Sequence, residues 1–323
     1  MGKAQKLKQQ KKEEEQRKAE EQHRRSQRKL KIIAIVVGAL VLVGAITALT
    51  WTLWPQSYKY QEMVLETSKG EIRVELLSDA APSAVQRMSQ LVNEGFYTGI
   101  RFHRVEDALV QAGDPKSKDP DATNLGSGGS GKKFANEIDF NTPGFADDIN
   151  NYFQAEGVEV GRAVLEAGAA EQGETVDQLI AQIQTQGQDT NTIMQSWSQS
   201  GLDYNQALAS LYSKQGYTYE STTQSALMGE GIVALANAGP QPIIGSDGQP
   251  QTDANGQYQW DSNINDSQFF VIKNYDTSNL VELLWRYKHT VFGRVVSGMD
   301  VVNQLQTSDT IDQATIYTQT RHR

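Results

Sequence analysis

Twenty-three consecutive residues without a charge, Ile32 to Trp54 (IIAIVVGALVLVGAITALTWTLW), constrain this 323-residue chain more than any other feature. At 1.5 Å rise per residue, a helix of that length spans a hydrocarbon core of about 30 Å with some tilt. Twelve of the 23 are Ile, Leu or Val. At about −0.4 kcal/mol each, insertion gains roughly 5 kcal/mol, and no charge offsets it. Trp51 and Trp54 close the run, as aromatic residues do at a headgroup boundary. A buried helix of a soluble protein fits poorly beside the charged tail that precedes the run. A cleaved signal peptide fits poorly too, because 31 residues precede the run, it is too long, and no A-x-A site follows. The expectation is a single retained anchor that meets a lipid bilayer through residues 32–54.

The flanks set the orientation. Residues 1–31 hold twelve Lys/Arg and five Glu, a net of +7, whereas only Lys59 and Lys69 occur between Pro55 and Glu71. The positive-inside rule then predicts a single-pass chain with a cytoplasmic N-terminus and an extracytoplasmic C-terminal domain. The tail is helix-prone with almost no apolar stripe. It reads as a solvated stop-transfer flank rather than a lipid-binding patch built on Arg24, Arg25, Arg28, Lys29 and Lys31. The 269 residues after the anchor carry 18 Lys/Arg against 34 Asp/Glu, so 18 − 34 gives −16. Such an acidic bulk argues against nucleic acid as a partner, since phosphate contacts need concentrated positive charge. Zero cysteines exclude a disulfide scaffold, a thiol nucleophile and Cys-based metal sites.

Beyond the anchor, short periodic segments alternate with turn residues. Glu62–Thr67, the turn Ser68-Lys69-Gly70 and Glu71–Leu77 predict a hairpin. Ala81-Pro82-Ser83 opens an amphipathic helix with Val85, Met88, Leu91 and Val92 on one face, and Gly95 ends it. Strands are expected at Ile100–Val105, Leu109–Ala112, Gly231–Ala236, Gln268–Lys273, Thr290–Val296 and Thr310–Tyr317, with a helix at Met299–Leu305. Seven or eight short strands and two helices predict a mainly β fold, a closed antiparallel barrel with capping helices.

The words inside these segments carry more. Phe102-His103-Arg104-Val105, Val110-Gln111-Ala112-Gly113-Asp114-Pro115, Gly126-Ser127-Gly128-Gly129 and Lys133-Phe134-Ala135-Asn136-Glu137 resemble the cyclophilin family of peptidyl-prolyl isomerases. So do Ala234–Pro240 (ALANAGP), Ser267–Phe270 (SQFF) and Lys288–Gly293 (KHTVFG), and all seven blocks stand in the family's order. The resemblance covers roughly residues 60–140 and 225–320 and implies a cyclophilin-like barrel. It leaves out the tail (1–31), the anchor (32–54) and two insertions that interrupt a domain of residues 55–323. The larger, 141–224, has helical periodicity at Val176, Leu179, Ile180 and Ile183 and again at Tyr204, Leu208, Leu211 and Tyr212. Gly187 and Gly201 punctuate it, and an independent helical unit that offers a surface to a protein partner is expected. The smaller, 241–266, is rich in Gly, Pro, Asn, Asp and Gln and reads as a long loop or hairpin.

Prolyl isomerisation needs no nucleophile. The C–N rotation barrier of about 18–20 kcal/mol comes from delocalisation of the nitrogen lone pair. A catalyst seats the proline ring, grips a carbonyl and offers a donor to the nitrogen as it pyramidalises. The resemblance makes Arg104 that donor and Gln111 and Gln268 the polar groups that position it and the substrate backbone. It places Asn237, between Ala236 and Ala238, on the peptide backbone, Gly126 in the glycine loop, and Leu109, Phe270, Leu284 and His289 in the proline pocket. From the residues alone, Leu109 and Phe270 are equally readable as barrel core. No cofactor is implied. Two departures stand out. The stretch Val105–Val110 (VEDALV) is one residue short of the family's pattern, so that Ala108 replaces an aromatic wall and Glu106 and Asp107 fall beside Arg104. The Leu284-Trp285 pair is reversed, leaving open which side chain lines the pocket.

Other motifs weigh less. Gly126–Lys132 nearly spells a P-loop but lacks the Ser/Thr metal ligand and a following helix. His23, His103, His289 and His322 are too scattered for a metal motif, and Asn265-Asp266-Ser267 is a formal glycosylation sequon. Two functions are thus expected. The first is a membrane-anchored isomerase that assists folding of exported or membrane proteins by acting on proline-containing polypeptides. The alternative is a weakly active or inactive cyclophilin-like chaperone or assembly scaffold.

Overall fold

The computed structural model describes residues 2–53, 57–185, 189–219, 224–254 and 256–322. Trp54, the last residue of the apolar run, and Gly187 lie outside them. The chain divides into two compact units, one of residues 1–58 with 322–323, the other Lys59–Arg321.

The first unit is one helix, α1 (Lys3–Leu53), 51 residues without a break. Its tail is mostly Lys, Glu, Gln, Arg and Ala, all strong helix formers. The pairs Glu14–Lys18 (2.9 Å) and Glu21–Arg25 (3.1 Å) add support one turn apart. By length and composition the helix is able to cross a membrane.

The second unit begins with the expected hairpin, β1 (Ser57–Thr67) and β2 (Gly70–Leu76), and helix α2 (Pro82–Asn93). Three short strands follow, β3 (Ile100–Arg101), β4 (Arg104–Val105) and β5 (Leu109–Ala112). Next come five helices: α3 (Asp147–Ala155), α4 (Val160–Gln172), α5 (Val176–Thr185), α6 (Thr190–Gln199) and α7 (Tyr204–Lys214). The chain returns through β6 (Ile232–Leu235), β7 (Gln241–Pro242), β8 (Trp260–Asp261) and β9 (Phe269–Ile272). It closes with α8 (Leu280–Leu284), β10 (Val291–Ser297), α9 (Met299–Gln304) and β11 (Thr310–His322).

Among the described residues, nine strands form one curled sheet in the order β3-β11-β1-β2-β10-β6-β9-β5-β4, while β7 and β8 pair separately. The sheet is open, not the closed barrel expected. A closed barrel needs Ile100–Val105 as one strand paired on both sides, but Phe102 and His103 leave strand geometry between β3 and β4. Phe102 N–H donates to the Asp309 carbonyl and His103 N–H to the Gln111 carbonyl, so the two halves of this segment serve opposite edges. The concave side holds the main core: Met63, Leu65, Ile72 and Val74 from the hairpin, Met88 and Leu91 from α2, and Phe269 and Phe292. The Glu137 carboxylate accepts from Ser83 N (2.9 Å) and Ala84 N (2.8 Å), capping α2 where its own turn leaves N–H groups unpaired.

The larger insertion shares an apolar cluster with the C-terminal part of the chain. Ile149, Phe153, Leu208 and Tyr212 share one apolar cluster with Leu283, Leu284 and Tyr287. Arg286, 5 % exposed, ties the two together. Its Nη2 donates to Asp148 (2.6 Å) and Tyr275 (2.8 Å), and its Nη1 to the Phe145 carbonyl. Breaking a buried charge pair by removing one partner costs about 3–5 kcal/mol. Because Asp148 is partly exposed, Arg286→Ala is expected at the low end, about 3 kcal/mol, in denaturant unfolding of the full chain. A change below about 0.5 kcal/mol would mean the insertion is only loosely joined to the sheet.

Candidate functional site

Strand register sets one row of side chains across the convex face. Arg104 on β4 lies opposite Gln111 on β5, Gln111 opposite Phe270 on β9, and Phe270 opposite Ala234 on β6. Because side chains alternate along a strand, Val110, Phe269 and Val271 point into the core while Leu109, Phe270 and Ile272 point out. These last three join Ala234 and Val291 in a second apolar cluster, so Leu109 and Phe270 are not part of the main core. Trp285 and His289 meet the Phe270 ring edge-on, at centroid distances of 5.8 and 5.2 Å.

Beside this aromatic group runs a chain of polar side chains. Arg104 donates through Nη1 to Gln111 Oε1 (3.3 Å), and Gln111 Nε2 to Gln268 Oε1 (2.9 Å). Gln268 Nε2 ends the chain on the carbonyls of Gly126 (2.8 Å) and Gly128 (2.7 Å). The other side of the guanidinium is held by Glu106, which accepts from Nε (2.7 Å) and Nη2 (2.8 Å). The glycine loop wraps the buried Asp114 carboxylate, whose Oδ2 accepts from Gly126 N (2.6 Å) and Gly128 N (3.1 Å). A Cβ on Gly128 would fall 2.0 Å from Asp114 Oδ1, so only glycine permits that approach. Gly113, at φ +100°, likewise passes the Ser267 carbonyl too closely for any side chain.

Gln111, Gln268, Gly126, Ala236, Asn237 and Ala238 line one cavity of about 320 Å³. The Asn237 side chain is held by three hydrogen bonds: Nδ2 donates to Asn265 (3.1 Å) and the Lys288 carbonyl (3.0 Å), and Oδ1 accepts from Gly239 N (3.1 Å). Its backbone is thereby held at the cavity wall. Of the expected residues, two stand apart. Leu284 is fully buried in the cluster shared with the insertion, and Trp285, the next residue around a helical turn, faces Phe270 instead. Ala108 sits in a turn closed by Glu106 N–H to the Leu109 carbonyl. Its own carbonyl accepts from Lys273 and Asn274, and it joins neither the cavity lining nor the apolar cluster. The shortened loop makes that turn tight and leaves no aromatic wall. Ile264 and Asp266 line the cavity from the end of the smaller insertion, where composition signals only loop. Asn265 is fully buried and bonded to Asn136 (2.8 Å), which removes it as a glycan acceptor.

The family model for "Cyclophilin type peptidyl-prolyl cis-trans isomerase/CLD" matches residues 62–248 and 252–321. The chain is similar to peptidyl-prolyl cis-trans isomerase-like 1 of Rhizopus delemar, 39 % identical over 82 residues, 24 % of this chain and 46 % of that protein. It is similar to the Homo sapiens protein of the same name, 36 % identical over 88 residues, 26 % of this chain and 49 % of that one. It thus spans about half the length of the curated relatives it matches. A solved cyclophilin type peptidyl-prolyl cis-trans isomerase of Cryptosporidium parvum aligns over 80 % of this chain and 99 % of that one, at 15 % identity and a TM-score of 0.39.

Two histidines flank the row, and both titrate below their usual range. Burial, then the charge of Lys288, pushes His289 down to about 3. Its Nδ1 lies 3.0 Å from the Leu235 carbonyl and donates to it as the neutral tautomer. Burial also lowers His103. Folded values below the unfolded value of about 6.5 mean that the unfolded chain binds more protons in the window beneath it. The stability these groups contribute is therefore complete above about pH 6.5 and lost as acid is added. Denaturant midpoints should fall between pH 7 and 5.5, and His289→Gln should flatten that slope, with His103 supplying the remainder. An unchanged slope in the variant would show that His289 is charged in the folded state.

Proposed function

This chain belongs to the cyclophilin type peptidyl-prolyl cis-trans isomerase family, and we propose that it isomerises X–Pro bonds in exported or membrane proteins, assisting their folding from a membrane anchor. The observation that carries the reading is the cross-strand row, which sets a guanidinium, Arg104, one strand away from Phe270 and its partners Trp285 and His289, with Gln111 between them. In this mechanism the proline ring lies against Leu109, Phe270, Trp285 and His289, and the peptide backbone runs along Ala236–Ala238. Arg104 donates to the imide nitrogen as the C–N bond twists. Each Nη carries two hydrogens, so one on Nη1 and one on Nη2 stay free beyond those given to Gln111 and Glu106. Gln111 and Gln268 hold the guanidinium in place. A donor realised mainly as the nitrogen pyramidalises lowers the barrier rather than tightening ground-state binding.

The anchoring rests on the length and apolarity of α1 and on twelve against two positive flanking residues. In this reading the N-terminus is cytoplasmic and residues 55–323 form one extracytoplasmic domain. The insertion 141–224 serves as a contact for a protein partner, an assignment supported by α5, which buries none of its residues. A second reading, a weakly active or inactive peptide-binding chaperone, is favoured by the two-point grip of Glu106 on Arg104 and by the missing aromatic wall at Ala108.

A protease-coupled isomerisation assay on the full chain in detergent separates the two. Arg104→Ala should lower turnover about 10²–10³-fold with little change in peptide affinity, as for other lost transition-state donors. Arg104→Lys, which keeps charge but loses the planar fork, should recover only part of it. Equal rates for wild type and Arg104→Ala, both at the uncatalysed level, would leave the chaperone reading. Orientation is tested apart from activity. Protease added to sealed right-side-out vesicles should digest the C-terminal domain and spare a tag at Met1, and protection of that domain would reverse the topology.

A further inference from the structure

A second cavity, of about 240 Å³, opens next to the first. Ser83, Gln86, Arg87 and Gln90 line one wall, spaced i, i+3, i+4, i+7 along a single face of α2, and Lys132 and Lys133 line the other. Among the described residues, three cations and no carboxylate make up its charged lining, on a domain whose balance is 18 − 34 = −16. Among the described residues neither lysine makes an ion pair. Arg87 is tethered by one nitrogen, Nη2 to Ser130 Oγ at 2.7 Å, and the Ser130 hydroxyl in turn meets Asp266. Its Nε is buried with no hydrogen-bond partner. The N-terminal N–H groups of α2 are already taken by Glu137, so the helix end plays no part.

Lys133 lines both cavities, so a polypeptide lying along Gln268 and Asn237 leads directly into the second. We propose that this cavity is a subsite for an acidic side chain of the bound polypeptide, some residues from the proline. The inference deepens the isomerase reading and rests on its peptide groove. It makes the protein selective for clients that carry a carboxylate at a fixed distance from the isomerised bond.

The test walks a single Glu, with Gln as control, along both sides of the proline in otherwise neutral peptides. Affinity for the full chain in detergent is read by fluorescence anisotropy. At one position Glu should bind about tenfold tighter than Gln, a difference of about 1.4 kcal/mol, and the gain should shrink with added salt. Lys132→Glu should abolish the gain and Lys132→Arg keep it, with neutral-peptide affinity unchanged in both. Lys132 is exposed and outside the first cavity, so neither substitution threatens the fold. No preferred position, or a preference that survives Lys132→Glu, overturns the proposal. Inorganic phosphate that binds through Lys132 while no peptide position prefers Glu would also overturn it, assigning the cavity to free anions. If neutral peptides are neither bound nor isomerised, the groove reading fails first and takes the subsite with it.

Discussion

Strand β9 is apolar on both faces, and the arrangement of the C-terminal unit follows from that. Phe269 and Val271 enter the main core, while Phe270 and Ile272 emerge on the opposite side, where an open sheet would otherwise expose them to water. Burying a side chain of that size is worth about 1.5–3 kcal/mol, so the second face must be covered too. Trp285 and Val291 supply part of the cover, from the segment that leads into β10. Cover stops at Gln111 and Gln268, where the row turns polar and a cavity opens. The candidate site is thus the boundary between a covered and an uncovered stretch of one sheet face.

The segment from α8 to His289 links that boundary to the inserted helices. Leu283, Leu284 and Tyr287 point into the insertion's cluster, whereas Trp285 and His289 point back onto Phe270. Tyr287 donates to Asn205 at 2.8 Å, Arg286 reaches Asp148 and Lys288 pairs with Glu171 at 2.6 Å, so this short segment meets the insertion through polar as well as apolar contacts. The wall of the aromatic group is therefore placed by helices that lie far away in sequence. An insertion that looks peripheral along the chain is structurally part of the site's support.

Much of this was legible in the sequence, for identifiable reasons. The hairpin, α2, β5, β9 and β10 all stand near where alternation or helical spacing put them, because each has one strongly contrasted face. Helix α4 was not legible: VGRAVLEAGAAEQ buries Val164 and Leu165 but otherwise Gly161, Ala163, Ala167 and Ala169, small residues that give little hydrophobic contrast. The break at Phe102–His103 has no local signal either, since it depends on Asp309 and Gln111 drawing the backbone to different edges. Leu284 and Trp285 illustrate the same limit. Both are large and apolar, and only the helical phase of α8 decides which one meets Phe270. That a carboxylate meets Arg104 was legible, since Glu106 and Asp107 both follow it closely, but that Glu106 is the one that accepts from Nε and Nη2 was not.

How far Glu106 restrains Arg104 is a question of magnitude. Both side chains are about half exposed, 46 % and 50 %, and exposed ion pairs of this kind are worth about 0–1 kcal/mol. Opening the pair to admit a substrate therefore costs at most about a fivefold loss of rate, small against a rotation barrier of about 18–20 kcal/mol. The same contact brings order, since a bidentate carboxylate fixes the plane of the fork that Gln111 holds only at 3.3 Å. The missing wall at Ala108 weighs more. An aromatic side chain buries about 150–250 Å², and at about 25 cal/mol per Å² the part of that area facing a prolyl ring is worth more than the ion pair. On the proposed function, the balance between isomerase and peptide-binding module rests on apolar contact with the ring, and the electrostatics around Arg104 adjust it only at the margin.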